Sequence, residues 1–121
     1  MIYLQIMCVA LLTVATNLVA DELPDVSDDH YHQRGSLTNS KFVFESTKRG
    51  HVAFIGGSIT EMNGYRPLMS VYLQQQFPAT QFTFTDAGIA STCSMTGAYR
   101  IQRDVLSKGP VDLLFIEFAV N

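Results

Sequence analysis

The sequence predicts an α/β fold in which a doubly wound parallel sheet carries helices on both faces. From about residue 51 onward, short apolar runs alternate with segments of helical periodicity in the order strand, helix, strand, helix, strand. The last run, residues 111–120, contains eight apolar residues in ten, as expected for a parallel strand covered on both faces. Such alternating units join through right-handed crossovers, so the helices lie on both sides of the sheet.

The first strand and the helix after it are bounded by turn residues. An apolar run over residues 52–55 ends at Gly56-Gly57, which suits a buried strand that stops at a tight turn. Pro67 can occupy the first turn of a helix, which we expect to end at Phe77-Pro78. We expect this helix to pack through three apolar residues that share one face: Leu68, Val71 and Tyr72.

The second strand is predicted from a period of two over residues 81–86, which breaks at Ala87-Gly88. The next helix should end at Gly109-Pro110. Its apolar stripe is predicted at Met95, Ala98, Ile101 and Val105. The segment Phe42-Val43-Phe44 is a candidate edge strand before these elements. Together they predict a three-layer α/β/α, flavodoxin-like sheet that is incomplete at its C-terminus.

Composition limits the number of domains and the classes of partner. The chain has 121 residues and a net charge of -3, which suits one small domain and excludes a basic nucleic-acid binder. Of residues 1–20, 16 are apolar and none is charged, which predicts a signal peptide that ends at Ala20. An uncleaved membrane anchor is the alternative. We therefore expect a secreted or periplasmic protein, with an acidic extension over residues 21–50 before the domain at 51–121.

The cysteines and histidines give little sign of a metal or redox site. Cys8 lies in the predicted leader, so Cys93 has no partner for an intrachain disulfide and is interpreted as a small buried thiol. A metal site at His30 and His32 in the acidic extension is an alternative to the favoured interpretation, which is a solvated segment. We expect neither a metal nor a cofactor.

Three residues that can carry chemistry follow the three predicted strands. Ser58 follows the first strand, Gly88 ends the second, and Asn121 ends the third. Ligands of open parallel sheets bind at the carboxyl ends of the strands. A serine at a glycine turn can act as a nucleophile, while a glycine N–H and an asparagine amide can stabilise an oxyanion. Taken alone, Ser58 and Glu61 also fit a helix capping box.

These residues resemble the conserved blocks of the SGNH (GDSL-type) hydrolase family over residues 51–121. The first block matches Gly56-Gly57-Ser58-Ile59-Thr60, with Gly57 in place of the usual Asp. The second block matches at Gly88, and the third matches Ala119-Val120-Asn121, with Ala119 in place of Gly. The resemblance implies that Ser58 is the nucleophile and a backbone oxyanion donor, that the Gly88 N–H is a second donor, and that the Asn121 side chain is a third.

The family also has a catalytic His, in an Asp-x-x-His block near the C-terminus of its members. No such block follows Ser58 in the sequence as far as Asn121. His51 is a poor substitute, because seven extended residues place it roughly 20 Å from Ser58. The sequence thus resembles the N-terminal portion of such a hydrolase, and we expect the coding sequence to continue with an Asp and, farther on, that block. Residues 21–121 alone are expected to be inactive and to associate through the apolar strand at 111–120.

The leading hypothesis is a secreted serine esterase acting on a small-molecule or carbohydrate ester, with O-acetyl groups of carbohydrates as the favoured substrate. One alternative is a phosphate- or nucleotide-binding domain that uses Gly56-Gly57-Ser58 at a helix N-terminus. Another is a non-catalytic, carbohydrate-binding relative. Glu117 is expected to support the site by pairing with Arg66 or Arg100, because an acid in an apolar strand needs a partner.

Overall fold

The computed structural model describes residue 32 and residues 34–119. The chain divides into two compact units, Met1–Gln33 and Arg34–Asn121, and every element described below belongs to the second. The predicted signal peptide, nearly all of the acidic residues 21–32, and Asn121 lie outside the described residues. Within the described part, no helix combines the length and the apolar character needed to cross a membrane.

The described elements form one parallel sheet with helices on both faces, which confirms the predicted fold class. The strand order is β2-β1-β3, with both neighbours parallel to β1. In chain order, the elements are α1 (Thr38–Thr47), β1 (Arg49–Gly56), α2 (Ser58–Glu61), α3 (Tyr65–Gln76), β2 (Gln81–Gly88), α4 (Ser94–Asp104) and β3 (Leu113–Glu117). A 3₁₀ turn, Leu106–Lys108, follows α4.

The central strand β1 explains the three layers. Val52 and Phe54 face a cluster that includes Phe44 of α1 and Leu73 of α3. Residues 53 and 55 face the opposite way, toward a cluster that includes Ile101 and Val105. Successive residues of a strand point to opposite faces, so a strand covered on both faces needs the unbroken apolar run seen here. Aromatic rings fill the first cluster, where Phe54 stacks on Phe115 with centroids 4.9 Å apart.

The candidate edge strand at Phe42-Val43-Phe44 is wrong, because this segment lies within α1. Phe44 is 2% exposed and Phe42 is 68% exposed, so the two rings do not share a face as they would in a strand. The helix ends at Thr47, and its C-cap residue, Lys48, has a left-handed backbone with φ of 56°. Since Phe44 packs into the core and β1 begins at Arg49, the fold starts before the expected boundary at residue 51.

The predicted inner faces of the two long helices are only partly correct. In α3, Leu68 is 72% exposed, and Val71 and Tyr72 are exposed as well. The residues that pack toward the sheet recur every four positions: Tyr65, Met69, Leu73 and Phe77. In α4, Ile101 and Val105 do pack in the core, but Met95 and Ala98 are exposed, while Gly97 and Arg100 are buried. A buried glycine and a buried arginine carry no hydrophobic signal, so periodicity alone misplaced this face.

Strand β3 is also shorter and less buried than predicted. It spans five residues rather than the ten of 111–120, and all but one are half-buried, Ile116 being exposed. Among the described strands it pairs only with β1. Asp112, just before the strand, accepts a hydrogen bond from the His51 N–H at 2.8 Å, which aligns the start of β3 with β1. The expectation of a strand covered on both faces thus describes β1 better than β3.

The contact between Gly97 and Phe118 gives a testable prediction about packing. A Cβ at Gly97 would lie 2.4 Å from the Phe118 ring, so Gly97→Ala should lower the free energy of unfolding by about 1–3 kcal/mol. Helix propensity alone would predict a gain of about 1 kcal/mol. The double variant with Phe118→Ala should show a favourable coupling energy in denaturant unfolding, because the ring is gone. Strictly additive effects would contradict this packing.

Candidate active site

The parallel register brings the ends of the three strands to one edge of the sheet. Gly56 of β1 is paired with Gly88 of β2 on one side and with Glu117 of β3 on the other. Ser58 follows Gly56 by two residues, so the structure brings Ser58 and Gly88 to the same edge, as the sequence predicted. Asn121 follows Ala119 by two residues and lies outside the described residues.

Ser58 is the first residue of α2, and its hydroxyl has no hydrogen-bond partner among the described residues. The residue that caps the helix is Gly57, and it makes no side-chain cap hydrogen bond. The capping-box interpretation of Ser58 is therefore wrong. The Ser58 side chain is half-buried, and its Oγ forms no hydrogen bond with any residue that the structure describes. A hydroxyl without such a bond can attack a bound electrophile without first breaking a hydrogen bond to these residues.

Two glycines let α2 lie directly on the strand ends. A Cβ at Gly88 would lie 2.3 Å from the backbone nitrogen of Glu61, and a Cβ at Gly56 would lie 2.0 Å from Thr60 Oγ1. Contacts this short are sterically forbidden, so any side chain here would push α2 away from the sheet. The glycines that end β1 and β2 thus set the position of the Ser58 helix.

Glu117 ties α2 to the turn after β3. Its Oε2 accepts a hydrogen bond from Thr60 Oγ1 at 3.3 Å, and its Oε1 accepts one from the Ala119 N–H at 3.0 Å. Thr60 is fully buried, and its hydroxyl also lies 3.0 Å from Tyr65 Oη. The expected pairing of Glu117 with Arg66 or Arg100 is wrong, because a hydroxyl and a backbone amide satisfy this carboxylate instead.

Arg66 and Glu61 hold the other end of α2. Arg66 donates from Nε to the Thr60 carbonyl at 3.0 Å and from Nη2 to the Glu61 carbonyl at 3.3 Å. Its Nη2 also forms an ion pair with Asp86 Oδ2 at 2.9 Å. Glu61 Oε2 accepts a hydrogen bond from the Ala90 N–H at 3.2 Å. The carbonyls at the helix end, which have no partner within a helix, are therefore satisfied by a cation.

The Gly88 N–H has an acceptor in this structure. It donates to Asp86 Oδ1 at 3.0 Å, while Oδ2 of the same carboxylate pairs with Arg66. The predicted oxyanion donor is therefore in the right place along the sheet edge, and its hydrogen points to a carboxylate. An oxyanion would have to replace Asp86 as its acceptor.

Arg100 is a buried cation below the same strand ends, a position that sequence reasoning missed. It is 5% exposed and donates from Nη1 to the Ala87 carbonyl at 2.6 Å and from Nη2 to the Gly56 carbonyl at 2.9 Å. Its Nη1 also pairs with Asp104 Oδ2 at 3.2 Å. Hydrogen bonds from Arg103 first, and from Arg100 as well, lower the pKa of Asp104 to about 2. Its spacing of three residues from Gly97, which is also buried, was the one available signal.

His51 lies too far from Ser58 to act as its base. It precedes Gly56 by five residues in an extended strand, which corresponds to about 16 Å. Its Nδ1 lies 2.7 Å from the Pro110 carbonyl, and its Nε2 lies 2.8 Å from Thr85 Oγ1. Both ring nitrogens are thus engaged in hydrogen bonds at the other end of the strand. His32 is exposed, and His30 lies outside the described residues.

The loop after β2 contains Ser91 and Cys93. Ser91 has φ of 61°, a left-handed backbone that is uncommon for residues other than glycine. Cys93 caps α4 and is half-buried rather than fully buried as expected. A hydrogen bond from the Thr96 backbone N–H lowers the pKa of its thiol. Among the described residues, no group of His, Cys, Asp and Glu is arranged to hold a metal ion.

The chain is similar to an esterase of known structure. No protein-family model and no curated protein matches the chain. The chain is similar to the crystal structure of a two-domain esterase (CEX) active on acetylated mannans, co-crystallized with mannopentaose, at 37% identity and a TM-score of 0.65 over 73% of this chain. A second crystal structure of a two-domain esterase (CEX) active on acetylated mannans matches at 36% identity and a TM-score of 0.65 over 74% of this chain.

The chain spans about a quarter of the length of these solved structures, 26% in each case. The identity is high enough that the similarity concerns the sequence as well as the fold. The three parallel strands and their flanking helices therefore have the fold of part of an esterase.

Proposed function

We propose that this chain carries the nucleophile of a serine esterase of the SGNH (GDSL-type) family that removes acetyl groups from carbohydrates. One observation carries the proposal: Ser58, at the start of α2 and at the same sheet edge as Gly88, presents a hydroxyl that makes no hydrogen bond with any described residue. The similarity to an esterase active on acetylated mannans supports an acetylated carbohydrate as the substrate class.

In the proposed reaction, Ser58 Oγ attacks the carbonyl carbon of the ester and its proton passes to a histidine base. The tetrahedral oxyanion accepts hydrogen bonds from the Ser58 N–H, the Gly88 N–H and the Asn121 side-chain amide. The Ser58 N–H makes no hydrogen bond with any described residue, as is usual in the first turn of a helix. Collapse of the oxyanion breaks the bond to the sugar oxygen, which takes the proton from the histidine, and water then hydrolyses the acetyl-serine.

The histidine base is proposed to come from an Asp-x-x-His block encoded after Asn121. Neither ring nitrogen of His51 is free, and the strand places this residue about 16 Å from the nucleophile end. We also propose that residues 1–20 are a signal peptide that directs the protein out of the cytoplasm. Polysaccharide substrates are found outside the cell.

The proposal is tested by measuring acetate release from acetylated mannan by the protein expressed from its full coding sequence. We expect acetate release that fluorophosphonate treatment stops, with faster hydrolysis of p-nitrophenyl acetate than of p-nitrophenyl butyrate. Binding of mannan oligosaccharides without acetate release would instead identify a non-catalytic carbohydrate-binding protein. Binding of a nucleotide at the same edge, competed by inorganic phosphate, would favour a phosphate-binding domain.

Asn121→Ala is expected to lower kcat on p-nitrophenyl acetate by about 10²- to 10³-fold and to leave KM within a few-fold, because one oxyanion donor is lost. Steady-state kinetics measure both constants. Asn39→Ala, an exposed change in α1, is the matched control and should have no effect. A large increase in KM at unchanged kcat would assign Asn121 to ground-state binding.

A further inference from the structure

We propose that Arg100 is a positioning residue that fixes and polarises the peptide whose N–H belongs to Gly88. This inference rests on the esterase function proposed above. Two of the hydrogen bonds from its guanidinium go to the carbonyls of Gly56 and Ala87. These carbonyls belong to the two peptide units that lead into Gly57 and Gly88, the residues that open the candidate site.

Planarity of the peptide unit links the carbonyl to the N–H. In a trans peptide, the C=O and the N–H point in opposite directions within one plane. When Arg100 Nη1 holds the Ala87 oxygen at 2.6 Å, it therefore also sets the direction of the Gly88 N–H. A charged donor on the carbonyl makes the N–H of that peptide a stronger hydrogen-bond donor, because hydrogen bonds in a chain polarise one another.

The burial of Arg100 argues against a role in packing alone, because a buried guanidinium lowers stability unless its hydrogen bonds are satisfied. The side chain is 5% exposed, has a single carboxylate partner in Asp104 among the described residues, and leaves Nε without a hydrogen bond in that part of the chain. Burying a guanidinium with an unsatisfied N–H is destabilising, whereas an apolar side chain of similar volume fills the same space without that cost. The guanidinium instead gives a rigid fork of donors that reaches two carbonyls on neighbouring strands.

The test compares Arg100→Met and Arg100→Lys with the matched control Arg49→Met, in the protein expressed from its full coding sequence. Arg49 is exposed and begins β1, at the end of the strand opposite Gly56. Selective ¹⁵N-glycine labelling follows the chemical shift and the hydrogen exchange of the Gly88 amide, and steady-state kinetics follow kcat and KM on p-nitrophenyl acetate.

Arg100→Met is expected to accelerate exchange of the Gly88 amide at least tenfold, to shift its resonance, and to lower kcat by about 10- to 100-fold with KM within threefold. That loss is smaller than removal of a donor itself, which costs about 10²- to 10³-fold. Arg100→Lys keeps a charge that can reach one carbonyl, so it should recover part of kcat. Arg49→Met should match the wild type.

An unchanged Gly88 amide in folded Arg100→Met would overturn the proposal. A lowered kcat with an unchanged Gly88 amide in Arg100→Lys would also overturn it, and so would an increase in KM at unchanged kcat in either variant. If Arg100→Met does not fold, Arg100→Lys carries both measurements. If the wild-type protein shows no Ser58-dependent hydrolysis, the proposed function fails, while the amide measurement still decides whether Arg100 holds the Gly88 peptide. The two failures are thereby distinguishable.

Discussion

Ser58→Ala is expected to lower kcat on an acetyl ester by at least about 10⁴-fold, because the remaining groups provide only the residual rate of binding and oxyanion stabilisation. The change removes one oxygen that makes no hydrogen bond with the described residues, so the free energy of unfolding should change little. Kinetics with p-nitrophenyl acetate and thermal unfolding test the two parts separately.

Ser46→Ala is the matched control for this experiment. Ser46 is exposed in α1, where its hydroxyl donates to the Phe42 carbonyl, and its loss should leave turnover unchanged. If Ser58→Ala retained a kcat within tenfold of the wild type while Ser46→Ala behaved normally, the nucleophile would be a different residue.

Gly88→Ala is expected to lower the free energy of unfolding by about 3 kcal/mol and kcat by about 10²-fold in the molecules that remain folded. The new Cβ would lie 2.3 Å from the Glu61 nitrogen and 2.6 Å from its Cα, so it meets backbone that cannot rotate away. Helix α2 must then move off the sheet and carry Ser58 with it. Denaturant unfolding and kinetics at low temperature measure the two effects.

Gly50→Ala separates the loss of activity from the loss of stability. A Cβ at Gly50 would lie 2.7 Å from the rings of Phe44 and Phe82, at the other end of β1 from Ser58. It should therefore destabilise the protein by about 1–3 kcal/mol and leave kcat of the folded protein unchanged. A similar fall in kcat for both variants would show that Gly88→Ala acts only through stability.

The fold class and the meeting of Ser58 with Gly88 could be predicted because both depend on local signals. An apolar run that ends in two glycines gives the end of a strand, and the parallel arrangement then brings successive strand ends to one edge. The strand predicted at Phe42-Val43-Phe44 is wrong because a run of three apolar residues does not distinguish a strand from a helix. In the structure the segment is helical, and Phe44 packs from α1 into the core.

The polar groups that support the site could not be predicted, because their partners are far apart in sequence. Arg100 bonds to carbonyls 13 and 44 residues away, and backbone carbonyls have no sequence signature. Glu117 was assigned a cationic partner on charge alone, whereas the fold presents a buried hydroxyl of Thr60 and a backbone N–H. Asp86 is a different case, because it lies only two residues before Gly88, and its bond to the Gly88 N–H is local.

Labelling with a fluorophosphonate tests most directly whether Ser58 is an activated nucleophile. The reagent forms a covalent bond to a serine oxygen with loss of fluoride, and peptide mass spectrometry locates the adduct. We predict one adduct, on the peptide that contains Ser58, formed at the rate at which hydrolysis of acetyl esters is lost and absent in Ser58→Ala. A folded protein that hydrolyses acetyl esters while the adduct forms on another residue, or that binds acetylated mannan without labelling at Ser58, would contradict the account.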